Sequence, residues 1–217
     1  MSNPLIQLLV LAAVAVFLIL RLRGVLGTRD GFEPTQTDQP VQQRLDVIED
    51  DPNTGDSDLT DHVDPDSPAH AALVEMKRVE PSFSLTDFLG GARQAYEMIL
   101  VGFEKGDLDE VRPFLAPEVA AAFDGAIEAR RNAGLTTEVQ FLGTRETALS
   151  AAEFDPATRN AEISVRFVGE MIVATRDQSG EVVEGDPRTA RKQRDTWTFE
   201  REMGAADPNW RLVATGA

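Results

Sequence analysis

The spacing of apolar residues changes at Gly134, and this change restricts the fold more than any other feature of the sequence. Downstream of it, apolar and polar residues alternate, which is typical of strands; Ile163, Val165 and Phe167 are an example. Upstream, apolar residues recur at the intervals of one helix face. The residues of this stripe are Phe88, Ala92, Ala95, Tyr96, Ile99 and Phe103. Helices followed by strands predict an α+β fold in which the helices cover one face of an antiparallel sheet.

Three helices are predicted between residues 83 and 134. The first ends near Gly106, and the third starts at Pro117, because proline is favoured in the first turn of a helix. Between them, Asp107 and Glu110 have the spacing of a capping box, which predicts a short second helix.

Four or five strands are predicted after these helices. Turn residues at 155–158 and 177–180 separate the first strands, and a last strand runs from Trp210 to Thr215. Gly169 is expected to mark a bulge. This order suits a curved sheet wrapped around a long helix, with a pocket inside the curve.

The first 29 residues predict a membrane anchor. The sixteen residues from Leu5 to Leu20 contain a single polar side chain, Gln7. At ~1.5 Å per residue they span ~24 Å of a hydrocarbon layer ~30 Å thick, and arginine side chains that reach to the interface make crossing feasible. We assign the anchor to Leu5, Leu8, Leu9, Leu11, Phe17, Leu18, Ile19 and Leu20, followed by Arg21 and Arg23.

A cleaved secretory signal is the alternative interpretation of this segment. Such a signal needs basic residues before the apolar run and small residues at a cleavage site after it, and the sequence has neither. Every early basic residue follows the run, so the positive-inside rule predicts an outside N-terminus and a cytoplasmic C-terminal domain.

Residues 30–80 predict a disordered acidic linker. Twelve acidic residues against Arg44 alone give residues 30–66 a charge of −11, and apolar residues there follow no regular period. Such a composition buries too little apolar surface to offset the entropy of ordering. His62 and His70 lie in this segment; solvated histidines are favoured over a weak metal site because nothing rigid fixes them.

The charge and composition exclude several classes of function. The formal net charge is −16, of which residues 67–217, with 17 basic and 25 acidic residues, contribute −8. Direct nucleic-acid binding is not expected from such a chain. Without cysteine there is no disulfide or thiol chemistry, and no metal or cofactor is predicted. One basic cluster is a candidate contact for anionic lipid or for the protein's own acidic linker, with a solvated face as the alternative: Arg188, Arg191, Lys192 and Arg194.

Several segments occur in an order that carries a family resemblance. They are AYEMILVGFEKGDLDEVRPFLAPEVAAAFDGAI, ISVRFVGEMIV, RDQSGEVVEGDP, TWTFER and DPNWRLVAT. Together they resemble the C-terminal domain of the mitochondrial inner-membrane translocase subunit forty-four family. With the apolar N-terminal segment, the whole chain resembles bacterial membrane-anchored relatives of that subunit, organised as an anchor (1–29), a linker (30–80) and a domain (81–217).

The resemblance implies a cystatin-like or nuclear-transport-factor-like cone with an apolar pocket, acting as a docking platform at the inner membrane. In mitochondria the family member recruits an import chaperone and contacts anionic lipid. This chain lacks the long basic N-terminal region through which that recruitment is organised. The expected partner is therefore a protein of a broader class, such as a chaperone, a translocase or another envelope component.

Two hypotheses of function remain open at this point. The first is a non-enzymatic adaptor whose domain binds a protein or lipid in a cleft. The second is a small-molecule-binding protein or an isomerase or dehydratase on the same cone, which needs a buried acid or base. Tyr96 is followed by Glu97, but helical spacing turns Glu97 away, and no histidine follows His70. The candidate cleft residues, for which a purely core role is the alternative, are Tyr96, Ile99, Leu100, Phe103, Phe123, Ile163, Val165, Phe167, Trp197 and Phe199.

Overall fold

A computed structural model of the chain describes residues 57–216. The predicted anchor, residues 1–29, and the linker up to residue 56 lie outside the described residues. Within residues 57–216, no helix combines the length and the apolar character needed to cross a membrane.

The described residues form an α+β domain, as the sequence predicts. Its helices are α1 (Ser57–Thr60), α2 (Pro68–Val79), α3 (Leu85–Lys105), a single 3-10 turn (Arg112–Phe114) and α4 (Pro117–Asn132). Its strands are β1 (Thr136–Asp155), β2 (Asn160–Arg176), β3 (Val182–Gly185), β4 (Arg191–Glu202) and β5 (Arg211–Gly216).

Residues 57–80, which the sequence predicts to be disordered, contain two helices. The Ser67 hydroxyl caps α2 by accepting a 3.1 Å hydrogen bond from the amide of His70, and Pro68 occupies the first turn. Leu73 and Met76 on α2 are fully buried in the core. The prediction of disorder is therefore wrong for this segment, because the apolar face of α2 has a surface to pack against. We refer to residues 57–80 as the α1–α2 arm.

The arm is joined to the start of α3 by Asp58. The Asp58 carboxylate accepts hydrogen bonds from the amides of Leu85 (2.8 Å) and Thr86 (2.9 Å), and Lys77 of α2 lies 2.8 Å away. Amide groups at a helix start have no partner within the helix and carry partial positive charge, so a carboxylate stabilises them. Burial opposes ionisation of Asp58, but Lys77 and these amides outweigh it and hold the pKa of Asp58 well below its usual range.

Helix α3 confirms the first predicted helix. Ser84 caps it by accepting a 3.1 Å hydrogen bond from the amide of Asp87. At the other end Gly106 adopts the left-handed conformation (φ 76°), and its amide bonds to the carbonyls of Gly102 and Phe103.

The prediction of a short helix after Asp107 is wrong. The Asp107 carboxylate accepts a 3.1 Å hydrogen bond from the amide of Asp109, two residues on, and so forms a local turn instead of a capping box with Glu110. Only the 3-10 turn at Arg112–Phe114 is helical between α3 and α4.

The five strands form an antiparallel sheet in the order β1-β2-β4-β5, with β3 paired to the end of β2. Val165 of β2 pairs with Leu149 of β1 on one side and with Trp197 of β4 on the other. This register places the apolar residues of neighbouring strands on one face. The helices cover that face, and its side chains form the core.

Strand β1 is an edge strand whose pairing with β2 shifts at three points. The shifts lie between Phe141 and Gly143, between Thr144 and Glu146, and between Leu149 and Ala151. Gly169 itself keeps regular register with Gln193 of β4. The bulge expected at Gly169 is therefore found on the facing strand, where Thr144 pairs with Gly169.

Candidate functional site

A buried pair of polar side chains joins α3 to β4. The Tyr96 hydroxyl donates a 2.6 Å hydrogen bond to Oδ2 of Asp195, and Gln193 donates a 3.2 Å bond to Oδ1. The Tyr96 ring stacks on Phe167 of β2, with centroids 4.4 Å apart and planes 8° from parallel. Tyr96 is inaccessible to solvent, and Asp195 is only 9% exposed.

The surroundings of Tyr96 keep its hydroxyl protonated. Burial raises the pKa of Tyr96, and the hydrogen bond to the Asp195 carboxylate and the charge of that carboxylate raise it further. Gly169 lies against the same hydroxyl, because a Cβ added there would come within 2.8 Å of the Tyr96 oxygen. Glycine at this position allows the close contact.

Asp195 is not among the site residues predicted from the sequence. The carboxylate considered as a partner for Tyr96 was Glu97 on the same helix, and Glu97 is exposed. Asp195 precedes Trp197 and Phe199 with the same alternation, and this spacing places it on the inner face of β4. Neither Tyr96 nor Asp195 lines the cavities described below. The pair can therefore link the helix to the sheet. It does not face any of these three cavities, where a substrate could bind.

An open groove runs beside α3 over an aromatic floor. Its first cavity has a volume of about 320 Å³ and lies between the exposed side of α3 and the residues that precede β5. Phe88, Phe199 and Trp210 contribute rings, and the centroids of Phe88 and Trp210 are 4.7 Å apart. Met98 borders it with 48% of its surface exposed.

A second cavity of about 340 Å³ continues the groove along α3. Met98 lines both cavities, and Val101, Gly102 and Val111 line the second. At the other end, Gly91 lines the first cavity, and a Cβ added to Gly91 would meet nothing within 4 Å. We call these two cavities together the α3 groove.

The borders of the α3 groove are acidic. Among residues 57–216, four exposed carboxylates line it, and the ammonium group of Lys105 is the one basic side chain in its lining. These carboxylates are Asp87, Glu97, Asp107 and Glu110. Within residues 57–216 none of the four forms an ion pair.

Arg201 of β4 supports one wall of the groove. It donates a 2.6 Å hydrogen bond to Oε2 of Glu80 and a 3.2 Å bond to the carbonyl of Pro208. Its guanidinium lies 5.2 Å from the centre of the Trp210 ring. Burial opposes ionisation of Glu80, but Arg201 and the amide of Gly204 outweigh it and lower the pKa of Glu80.

The ten residues predicted to line a cleft are distributed between the core and the surface cavities. Eight are buried in the core: Tyr96, Ile99, Leu100, Ile163, Val165, Phe167, Trp197 and Phe199. Of these, Phe199 also forms part of the groove floor. Phe103 and Phe123 are half-buried and in contact, with centroids 4.8 Å apart, and Phe103 lines a third cavity that Arg130 and Arg191 also line.

Neither histidine and no residue of the basic cluster is among the described residues that line the α3 groove. Nε2 of His62 lies 3.0 Å from the Thr86 hydroxyl. Residues 57–216 contain no group of three or more histidine, aspartate or glutamate side chains placed to hold a metal ion. Arg191 of the basic cluster lies 3.8 Å from Glu104, so part of its charge is already compensated.

Comparison with known proteins shows which family this sequence matches. The sequence pattern of the Tim44-like domain matches residues 69–217. The chain is 25% identical over 144 residues to the mitochondrial import inner membrane translocase subunit TIM44-1 of Arabidopsis thaliana, an alignment that covers 64% of this chain and 30% of that protein. The chain thus spans less than a third of the length of this relative.

A similarity of structure was also found. The intermembrane space region of the chloroplast protein ARC6 superposes with a TM-score of 0.36 and 11% sequence identity, covering 57% of this chain and 94% of that one. The family assignment rests on the sequence match alone, which extends over more than half of the chain. The chain belongs to the Tim44-like domain family.

Proposed function

We propose that this protein is a membrane-anchored, non-catalytic docking protein that binds a partner protein in the α3 groove. The observation that carries the proposal is an exposed apolar groove in a domain of the Tim44-like family. The related TIM44-1 is named as an import translocase subunit, which supports a partner of the translocase, chaperone or envelope class.

The shape of the groove suits a helical segment of the partner. Its lining residues on α3 extend from Asp87 to Lys105, a distance of ~27 Å at ~1.5 Å per residue. Gly91, which lines the groove, leaves open space above the helix. Because glycine inside a helix costs about 0.5–1 kcal/mol relative to alanine, close approach of another backbone is a reason for its presence here.

The acidic borders of the groove restrict which partner helices can bind there. An apolar floor requires an apolar face on the partner, and unpaired carboxylates at the borders favour basic residues beside that face. We therefore expect the occupant to be an amphipathic, basic helix of a partner protein. An amphipathic helix with acidic residues beside its apolar face is excluded, because the four carboxylates would repel it.

We further propose that the protein spans a bacterial inner membrane once, with its N-terminus outside and its domain in the cytoplasm. The apolar run Leu5–Leu20 and the arginines that follow it support this arrangement. The acidic linker would keep the domain away from an anionic membrane surface, because like charges repel. An anchored domain on a linker can reach a partner in the same membrane.

Site-specific crosslinking in intact membranes tests the docking surface. A photoreactive residue replaces Met98 in the groove, and a matched control replaces Val183 on β3, which is similarly exposed (54%, against 48% for Met98). We expect one protein adduct specific to position 98, which Asp87→Lys together with Glu97→Lys weakens. Equal adducts at both positions, or none at position 98, would contradict the proposal.

Cysteine labelling tests the membrane topology. The chain contains no cysteine, so Ser2→Cys and Val183→Cys each introduce a unique thiol. In sealed cells, a maleimide that cannot cross membranes should label Ser2→Cys, and it should label Val183→Cys only after permeabilisation. The reverse pattern would place the domain outside, and recovery of the chain in the soluble fraction would remove the anchor.

A further inference from the structure

We propose that Glu80 positions the Trp210 wall of the α3 groove through Arg201, so that the seating of the α1–α2 arm and the shape of the groove are coupled. This inference rests on the proposed function only where it treats the groove as a docking site. The structural coupling is defined by contacts inside the domain and does not need a partner.

Glu80 joins the end of the arm to the connection between β4 and β5. Its amide donates a 2.9 Å hydrogen bond to the carbonyl of Met76, and its own carbonyl accepts a 2.9 Å bond from the amide of Phe83. The side chain then accepts two bonds at Oε2, from Arg201 (2.6 Å) and from the amide of Gly204 (2.9 Å). A change in the position of α2 is therefore transmitted to this connection.

Arg201 is a buried cation that relies on one carboxylate for charge compensation within residues 57–216. Arg201 is 9% exposed, and its Nε has no hydrogen-bond partner among the described residues. Glu80 is its one ion-pair partner in residues 57–216. Removal of that carboxylate would leave a buried, uncompensated cation, which must move toward water to regain solvation.

Trp210 depends on Arg201 for one side of its packing. The guanidinium lies against the ring at 5.2 Å, while Phe88 (4.7 Å) and Phe83 (6.0 Å) contact the ring from the core. Arg201 also bonds to the carbonyl of Pro208, and both Pro208 and Trp210 line the groove. A displaced guanidinium therefore releases two residues of the same wall.

The coupling has a consequence for binding. An occupant that prefers the groove with Trp210 in place stabilises the contacts of Arg201 and Glu80, and so holds the arm on the domain. By linkage, an arm fixed on the domain raises the affinity of the groove for that occupant by the same factor. Glu80 is thus a positioning residue and does not need to touch the partner.

The experiment uses the full-length chain, labelled with 5-fluorotryptophan and held in detergent micelles without any partner. The chain has two tryptophans, so it gives two fluorine signals, which Trp210→Phe assigns. Trp197, 4% exposed in the core, reports whether the domain is folded. The variants are Glu80→Ala and Glu80→Gln, and the matched control is Glu202→Gln, which removes an exposed carboxylate that pairs with Arg159 at 2.5 Å.

The expected result is a shifted or broadened Trp210 signal in Glu80→Ala, a smaller change in Glu80→Gln, and no change in Glu202→Gln, with the Trp197 signal constant throughout. The glutamine variant keeps an oxygen acceptor, so it decides the question if Glu80→Ala does not fold. An unchanged Trp210 signal in a folded Glu80 variant, or an equal change in Glu202→Gln, overturns the proposal. Failure of crosslinking at Met98 would remove the docking role and leave this coupling standing.

Discussion

The hydroxyl of Tyr96 on α3 lies 2.6 Å from the carboxylate of Asp195 on β4, out of contact with solvent. It is a polar link across an apolar core, between a helix and the sheet that the helix covers. Buried polar groups are costly to leave unpaired, so the two partners fix each other's position. The stability of the domain should therefore respond to changes at this contact more than its single hydrogen bond suggests.

Removal of the hydroxyl should destabilise the domain. Tyr96→Phe leaves a buried carboxylate whose remaining side-chain partner within residues 57–216 is Gln193. We expect the free energy of unfolding to fall by about 1–3 kcal/mol. Urea unfolding followed by tryptophan fluorescence measures the change. Thr158→Val, which removes an exposed hydroxyl bonded to Asp155, is the control and should change stability by less than about 0.5 kcal/mol. Equal effects of both would show that burial of the pair is unimportant.

The same contact makes the fold sensitive to alkaline pH. The folded state raises the pKa of Tyr96 above its ordinary value of 10.0, so the stabilisation is complete below pH 10 and is lost as the pH rises further. Tyr96 is the single tyrosine of the chain, so tyrosinate absorbance reports it alone. We expect this absorbance to appear together with unfolding. Ionisation near pH 10 while the tryptophan spectrum stays native would contradict the burial of Tyr96.

Gly169→Ala should be destabilising for a steric reason. The added methyl group would lie 2.8 Å from the Tyr96 oxygen and 3.1 Å from its Cε1, and the ring is held in place by Phe167. We expect a loss of about 1–3 kcal/mol in the free energy of unfolding. Gly90→Ala adds the same group inside α3, where nothing lies within 4 Å, and should instead stabilise by about 0.5–1 kcal/mol. Thermal unfolding measures both variants: the melting temperature should fall for Gly169→Ala and rise for Gly90→Ala.

Asp58→Asn should weaken the attachment of the α1–α2 arm. The carboxylate caps α3 and pairs with Lys77, and its loss at neutral pH should cost about 1–2 kcal/mol. Since the folded state lowers the pKa of Asp58, its contribution is present above the ordinary value of 3.8 and is lost as the pH falls below it. The difference in the free energy of unfolding between the wild type and Asp58→Asn should therefore become smaller in acid.

Urea unfolding at pH 7 and at pH 3 measures that difference. Glu75→Gln, which removes the exposed carboxylate paired with Arg78 on α2, serves as control and should cost less than about 0.5 kcal/mol at either pH. A difference that does not change between the two pH values would mean that the charge of Asp58 does not contribute.

Much of the fold was predictable, because local patterns determine it. Caps at Ser84 and Gly106 define α3, and alternation defines the strands. Helix α2 was missed although Ala69, Ala72, Leu73 and Met76 have helical spacing after a Ser-Pro cap signal. The acidic, proline-containing residues before it gave the whole segment the composition of a linker. The apolar face of α2 gains stability only from contact with the rest of the domain.

The candidate site was predictable only in part. Alternation from Trp197 and Phe199 would have placed Asp195 inside, but its pairing with Tyr96 depends on how α3 lies across the sheet. The α3 groove combines Phe88 with Pro208 and Trp210, which are distant in the sequence. Such a surface follows from tertiary packing, which no periodicity encodes. Eight of the ten residues predicted to line a cleft are buried in the core, and of these Phe199 also lines the groove.

The three shifts of register in β1 affect how copies of this domain behave when crowded together. The outer edge of a long edge strand such as β1 can act as a template onto which a strand of another chain adds. The longest stretch of β1 without a shift is Thr136 to Phe141, and each bulge twists the strand away from the straight path that a fibre requires. The edge of β1 is therefore poorly shaped to extend a neighbouring sheet.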